Sequence, residues 1–188
     1  MAMDVARHLT TEELGAGLDV IRGAPADEGT VELIARRPAE GERELLEQAV
    51  LDLREGLVGD NWSVRGSRRM PDRSANPNAQ LTLMNARVID LVAAGDRDRW
   101  ALAGDQLYVD LDLSAANLPP GTRLVFGSAV IEVTADPHTG CAKFHARFGG
   151  DAHRFVNTKT HRHLRLRGLN AKVIEPGTVS TGDAIRKL

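Results

Sequence analysis

Apolar residues recur along this chain with two spacings, and the change between them marks out its elements. Thr10-Thr11-Glu12-Glu13 has the form of a capping box, in which a hydroxyl and a carboxylate satisfy the free amides that open a helix. Leu14, Leu18 and Ile21 follow at helical spacing, and Gly23 with Pro25 closes the element. From Thr30 to Ala35 the period drops to two, with Val31, Leu33 and Ala35 on one face, which predicts a strand. Leu45, Leu46, Ala49, Val50 and Leu53 fit a helix, although 49–53 also fits a strand. Residues 80–84 predict a strand, and Asn85 then caps a helix carrying Val88, Ile89, Leu91 and Val92 that ends near Gly95.

The second half reads as strand and turn. Leu107, Val109, Leu111 and Leu113 alternate, Pro119-Pro120-Gly121 turns the chain, and residues 123–126, 129–134, 169–175 and 184–188 predict strands. Many short strands punctuated by Gly and Pro point to a mainly β, β-rich α+β domain: a barrel or sandwich with peripheral helices. Residues 59–79 form a long loop that holds Arg65, Arg68, Arg69 and Arg73. A loop of that length inside a compact domain is functional or disordered.

Length and charge narrow the class. At 188 residues the chain suits one domain with a short extension, here a helical segment over 1–29 ahead of a β domain over 30–188. The chain carries 24 Lys/Arg against 26 Asp/Glu. That balance argues against a general nucleic-acid or membrane-surface role. No stretch approaches the ~20 apolar residues of a membrane helix, and the N-terminus has no apolar leader. The single cysteine forms no disulfide within the chain, so the expected setting is reducing and cytoplasmic.

The charge is unevenly placed. Residues 1–60 hold 14 acids and 6 bases, whereas 138–172 hold 8 Lys/Arg, five His and the single acid Asp151. Such a run is either a solvated face or a pocket for an anion. Cys141 lies within it, among His138, Lys143, His145 and Arg147. Thiolate is the reactive, metal-binding form of cysteine, and positive neighbours favour it. Cys141 is therefore the candidate catalytic residue and metal ligand, with a small buried hydrophobe as the plainer alternative. Arg147, Arg154, Lys159, Arg162, Arg165 and Arg167 supply further positive charge to this stretch, and an arginine's planar fork suits an anionic ligand. If 164–168 is a strand, Arg165 and Arg167 share a face. His161 and His163 supply at most half of a zinc site. Asp110 and Asp112 read as solvated carboxylates rather than an acid/base pair.

A set of ordered segments carries a resemblance. They are Pro119-Pro120-Gly121-Thr122-Arg123-Leu124, Ile131-Glu132-Val133-Thr134, Gly140-Cys141-Ala142-Lys143-Phe144, Arg147-Phe148-Gly149, Leu166-Arg167-Gly168-Leu169-Asn170-Ala171-Lys172-Val173-Ile174, Pro176-Gly177 and Gly182-Asp183. Together with Gly56-Leu57-Val58-Gly59-Asp60, this order resembles the MOSC domain, the C-terminal domain of molybdenum cofactor sulfurases, which also occurs as stand-alone bacterial proteins. The resemblance spans roughly 30–188. It implies a closed β-barrel and a role in sulfur transfer or in binding the molybdenum cofactor, with Cys141 as the acting residue.

The cofactor is an anionic molybdenum-pterin, so the resemblance makes His138, Lys143, His145, Arg147, Arg154, Arg165 and Arg167 its expected ligands. A small-molecule substrate, a sulfur donor protein or a molybdoenzyme would be the partner. The chain is too short for the aminotransferase-like domain that carries pyridoxal phosphate in the full-length sulfurases, so cysteine desulfuration is not expected on it. Two other readings stand beside this one. The first is a non-enzymatic barrel for an anionic ligand, with a structural cysteine. The second is a thiol hydrolase, which lacks an acid placed to orient its histidine.

Overall fold

The computed structural model describes residues 6–188. Two short helices, α1 (Thr11–Ala16) and α2 (Leu18–Arg22), precede the first strand. The capping box forms as predicted: Thr10 accepts from the Glu13 amide, and the Glu13 carboxylate accepts from the Thr10 amide.

The strands are β1 (Glu28–Arg36), β2 (Glu44–Leu46), β3 (Gln48–Asp52), β4 (Gly56–Leu57), β5 (Leu81–Asn85), β6 (Leu107–Asp110), β7 (Arg123–Phe126), β8 (Ala129–Val133), β9 (Leu169–Glu175), β10 (Gly177–Ser180) and β11 (Ala184–Lys187). They interleave with α3 (Trp62–Arg65), α4 (Ala86–Val92) and α5 (Ala142–Val156). Strands run in the order β11-β7-β8-β9-β5-β6-β1, and β1 pairs back onto β11, so seven strands close a barrel. β2 extends the sheet from β1, and β10, β3 and β4 form a smaller sheet. Closure leaves few unpaired edges, which is how such a fold resists edge-to-edge association. The expected β-rich barrel with peripheral helices is the observed fold.

Two apolar clusters account for the pattern. Val31, Ile34, Leu83, Leu107, Val109, Ile131 and Ala171 fill the barrel. Leu33, Met84 and Tyr108 point outward from the same strands and pack with Leu14, Ile89, Phe144 and Phe148 under the helices. A register shift between Val31 and Leu33 in the β1–β6 pairing allows residues of both parities on β1 to enter the barrel. That shift is absent from the plain alternation read in the sequence.

Other expectations need correction. Within 43–53 the chain forms strands β2 and β3: Leu46, Ala49 and Leu51 pack on the barrel core while Leu45, Val50 and Leu53 stay exposed, which is not the single buried face a helix would present. The alternation over 107–113 is strand only to Asp110. Asp110 is held by Arg87 at 2.7 Å, and Asp112 caps the following turn through Ser114, so neither is a free solvated carboxylate. Residues 164–168 form no strand: Arg162–Leu164 is a 3-10 turn, and Arg165 has φ 48. Arg165 and Arg167 therefore share no face.

The largest departure is α5, which occupies the basic stretch read as loop and strand. Phe144, Phe148, Ala152, Phe155 and Val156 are its buried side. Gly149, at φ 87, kinks it into two shorter helices. A Cβ at Gly149 would lie 2.9 Å from His8 Nδ1, so the N-terminal segment sits directly on the kink. There His8 Nε2 lies 3.2 Å from the Arg147 carbonyl, and Arg99 donates to the same carbonyl at 2.7 Å. These contacts place two side-chain groups on a carbonyl next to the kink.

Candidate functional site

A cleft of about 810 Å³ opens beside the end of the barrel, between the 59–79 loop, the start of α5 and the turn before it. Its lining includes Asn61, Trp62, Arg65, Arg69, His138, Cys141, Lys143, Arg147 and Arg167. Among the described residues, nine of the lining side chains are Arg or Lys, and Glu40 is the sole acid.

Three of these cations are already paired. Arg37 makes a buried fork with Asp60, at 2.8 Å from Nε and 2.7 Å from Nη2. The same carboxylate accepts from the Trp62 amide and so anchors the start of α3. Burial opposes ionisation of Asp60, but Arg37 outweighs it and holds the carboxyl below its usual range. This pair gives the Gly59-Asp60 element a physical role: it ties the barrel to the loop. Lys143 pairs with Glu40 at 2.5 Å at the exposed rim. Arg167 pairs with Asp105 at 2.6 Å, caps the Ala103 carbonyl, and lies 5.1 Å over the Phe144 ring.

Asp105 is fully buried and also meets His138, with Nε2 2.9 Å from Oδ1. Burial disfavours its charge, but Arg167 and His138 prevail and keep it well below the usual carboxylate range. Burial, then the Arg167 charge, pushes His138 below the ordinary histidine value. The imidazole is therefore neutral at pH 7. Facing an ionised carboxylate, Nε2 carries the proton and donates, which leaves Nδ1 as a free acceptor.

Arg43, Arg65, Arg68, Arg69, Arg73 and Arg147 line the cleft with no carboxylate in ion-pair range among the described residues. Arg43 and Arg147 rest on neighbouring carbonyls, Ala101 at 3.1 Å and Leu102 at 2.7 Å. Burial, then the charges of Arg147 and Arg37, pushes Arg43 below the ordinary arginine value. Two uncompensated guanidiniums side by side make an anion-binding feature. Two buried polar atoms of the lining also lack partners: Asn61 Oδ1, an acceptor, and Arg167 Nε, a donor.

Cys141 is exposed at the cleft, at the N-cap position of α5, and its side chain makes no capping bond. Among the expected site residues the structure brings together His138, Cys141, Lys143, Arg147 and Arg167. It leaves His145, Arg154, Lys159, Arg162 and Arg165 outside the lining. His145 stacks edge-on with His153 at 5.6 Å, Arg154 pairs with Asp151, and Arg165 donates to the Leu118 carbonyl at 2.7 Å.

Sequence reasoning overlooked Arg43, Asp105 and Asn61 as site residues. The run of four arginines in the long loop was the visible signal for the rest of the cleft. No group of three or more His, Cys, Asp and Glu is arranged for a metal among the described residues. No described helix is long and apolar enough to cross a membrane.

Comparison with known proteins agrees with this architecture. The YuaD protein from Bacillus subtilis superposes with a TM-score of 0.58 at 19% identity, over 84% of this chain and 94% of that one. A crystal structure described as a hypothetical protein gives 0.57 at 19% identity, over 89% and 70% of the two chains. YiiM from Escherichia coli gives 0.52 at 18% identity, over 85% and 69%. At these identities the likeness is one of fold. Curated proteins give no significant match. The family model described as the MOSC domain matches residues 71–186, which contain the closing strands, α5 and Cys141, and the chain belongs to the MOSC domain family.

Proposed function

We propose that the cleft binds the molybdenum cofactor and that Cys141 is its acting thiol, as sulfur carrier or metal ligand. The observation that carries this reading is the exposed Cys141 sulfur at a concave surface where Arg43 and Arg147 have no carboxylate in ion-pair range among the described residues. The residues fit the group. Arg43 and Arg147 would take its phosphate, and the unpaired Asn61 Oδ1 and Arg167 Nε offer an acceptor and a donor to a heterocycle edge. Bound there, the cofactor supplies the molybdenum centre that receives sulfur or carries out a two-electron reduction.

As a carrier, the Cys141 thiolate attacks the outer sulfur of a donor persulfide. A new S–S bond forms at Cys141, the donor S–S bond breaks, and the donor leaves as a thiolate. No second cysteine is required. His138 holds a lone pair at Nδ1 that can accept a proton in the cleft, and Asp105 and Arg167 keep its ring oriented. A cytoplasmic setting and a sulfur-donating partner belong to this reading.

The test is expression in cells that make the cofactor, followed by assay of bound molybdenum and pterin and by mass spectrometry for a persulfide. Enrichment that disappears in Cys141→Ser supports the proposal, and equal content in both proteins overturns it. The second reading, a binding module with an inert cysteine, is favoured by one observation. His138 and Lys143, close to Cys141 in sequence, are already engaged by Asp105 and Glu40. Slow alkylation of Cys141 at pH 7 would select that reading.

A further inference from the structure

We propose that the 65–73 loop forms a second anion site over the same cleft, which holds the phosphate of a small phosphorylated substrate. This rests on the cofactor reading above, which assigns the inner pair Arg43 and Arg147. A phosphate monoester carries about −1.5 to −2 at pH 7, and two bidentate guanidiniums satisfy its oxygens. The inner pair therefore matches one such group. Arg65, Arg68, Arg69 and Arg73 remain, and they face the same volume with no carboxylate in ion-pair range among the described residues.

The loop is built to hold these side chains. The Ser67 amide donates to the Ser74 carbonyl at 2.9 Å, and the Arg73 amide donates to the Met70 carbonyl at 3.1 Å. Gly66 has φ 66, and a Cβ there would lie 2.2 Å from the Arg73 carbonyl, so only glycine closes this turn. Arg69 spans to the Pro137 carbonyl at 3.3 Å, which ties the loop to the turn that carries His138 and Cys141. A solvated charge run would need none of this order. The concavity selects a small ligand, because about 810 Å³ lies within the ~300–1,000 Å³ of small-molecule sites.

The test is calorimetric titration of the purified protein with two matched pairs, adenosine monophosphate against adenosine and ribose phosphate against ribose. Both phosphorylated members should bind about tenfold tighter or better than their parents, with an advantage that shrinks as salt rises. Arg65→Gln/Arg68→Gln should abolish that advantage while retaining the thermal midpoint and the molybdenum and pterin content of the wild type. Arg65→Lys/Arg68→Lys should restore part of it. Equal binding of phosphorylated and parent compounds by the wild type overturns the proposal without any variant. So does loss of molybdenum and pterin from the Gln variant, since the loop would then belong to the cofactor subsite. Phosphate discrimination in a protein that never acquires cofactor would instead refute the cofactor reading alone.

Discussion

His138 and Asp105 meet within the cleft wall, with Nε2 2.9 Å from Oδ1, and Arg167 holds the other carboxylate oxygen at 2.6 Å. One buried carboxylate thus fixes two cleft-lining side chains that come from distant parts of the chain. Its ionisation and their orientation are a single physical arrangement.

Asp105→Asn removes the charge that compensates buried Arg167. Chemical denaturation should show a loss of about 3–5 kcal/mol at pH 7. The pH dependence has a definite sign. The folded-state value of Asp105 lies below the unfolded value of about 3.9, so its stabilisation is full above that pH and disappears as pH falls further. The difference between wild type and variant should shrink in acid, and a difference independent of pH down to the acid transition would refute the assignment.

His138 is held neutral by burial and by Arg167. Its folded-state value lies below the unfolded one, about 6.5, so its contribution is complete above that pH and is lost as pH falls through the folded value. His138→Gln keeps a donor for Asp105 and cannot titrate. The wild type should therefore lose stability relative to this variant below about pH 6.5, as read from urea midpoints across pH.

Cys141→Ser should leave the fold intact. The side chain is exposed and caps nothing, and serine is a better N-cap than cysteine. Stability should stay within about 0.5 kcal/mol of the wild type or rise slightly, while persulfide labelling is lost. A large drop in thermal midpoint would show a structural cysteine.

Gly149→Ala places a side chain at φ 87 and against His8. We expect a loss of about 1–3 kcal/mol and faster proteolysis of the N-terminal segment. Combining it with His8→Ala should relieve the collision but not the backbone strain, so only part of the loss should return in denaturation experiments.

The two kinds of information divide cleanly at particular residues. Local chemistry was readable. The Thr10–Glu13 box and the Asn85 cap act within one turn, and strands were legible at 30–35 and 129–134, although the register shift after Val31 divides the first one's expected apolar face between barrel and helices. Helix α5 was harder to see. Phe144, Phe148 and Phe155 sit at helical spacing, but the Gly149-Gly150 pair and the His/Arg content mask it, and helix forms there because the aromatic face is buried. The cysteine and the basic stretch could be located in the sequence, yet sequence proximity misidentified part of the cationic field. His145 and Arg154 are near Cys141 in the chain but lie outside the cleft, whereas Arg43 and Arg65 arrive from far away.

What the sequence alone determined is therefore the β-rich fold class, the family and the place of the lone cysteine in a basic stretch, all carried by short segments. Only the tertiary structure decided which charges are neutralised. Ion pairing depends on contacts between Arg37 and Asp60, Lys143 and Glu40, and Arg167 and Asp105, and barrel closure, not chain order, brings those partners together.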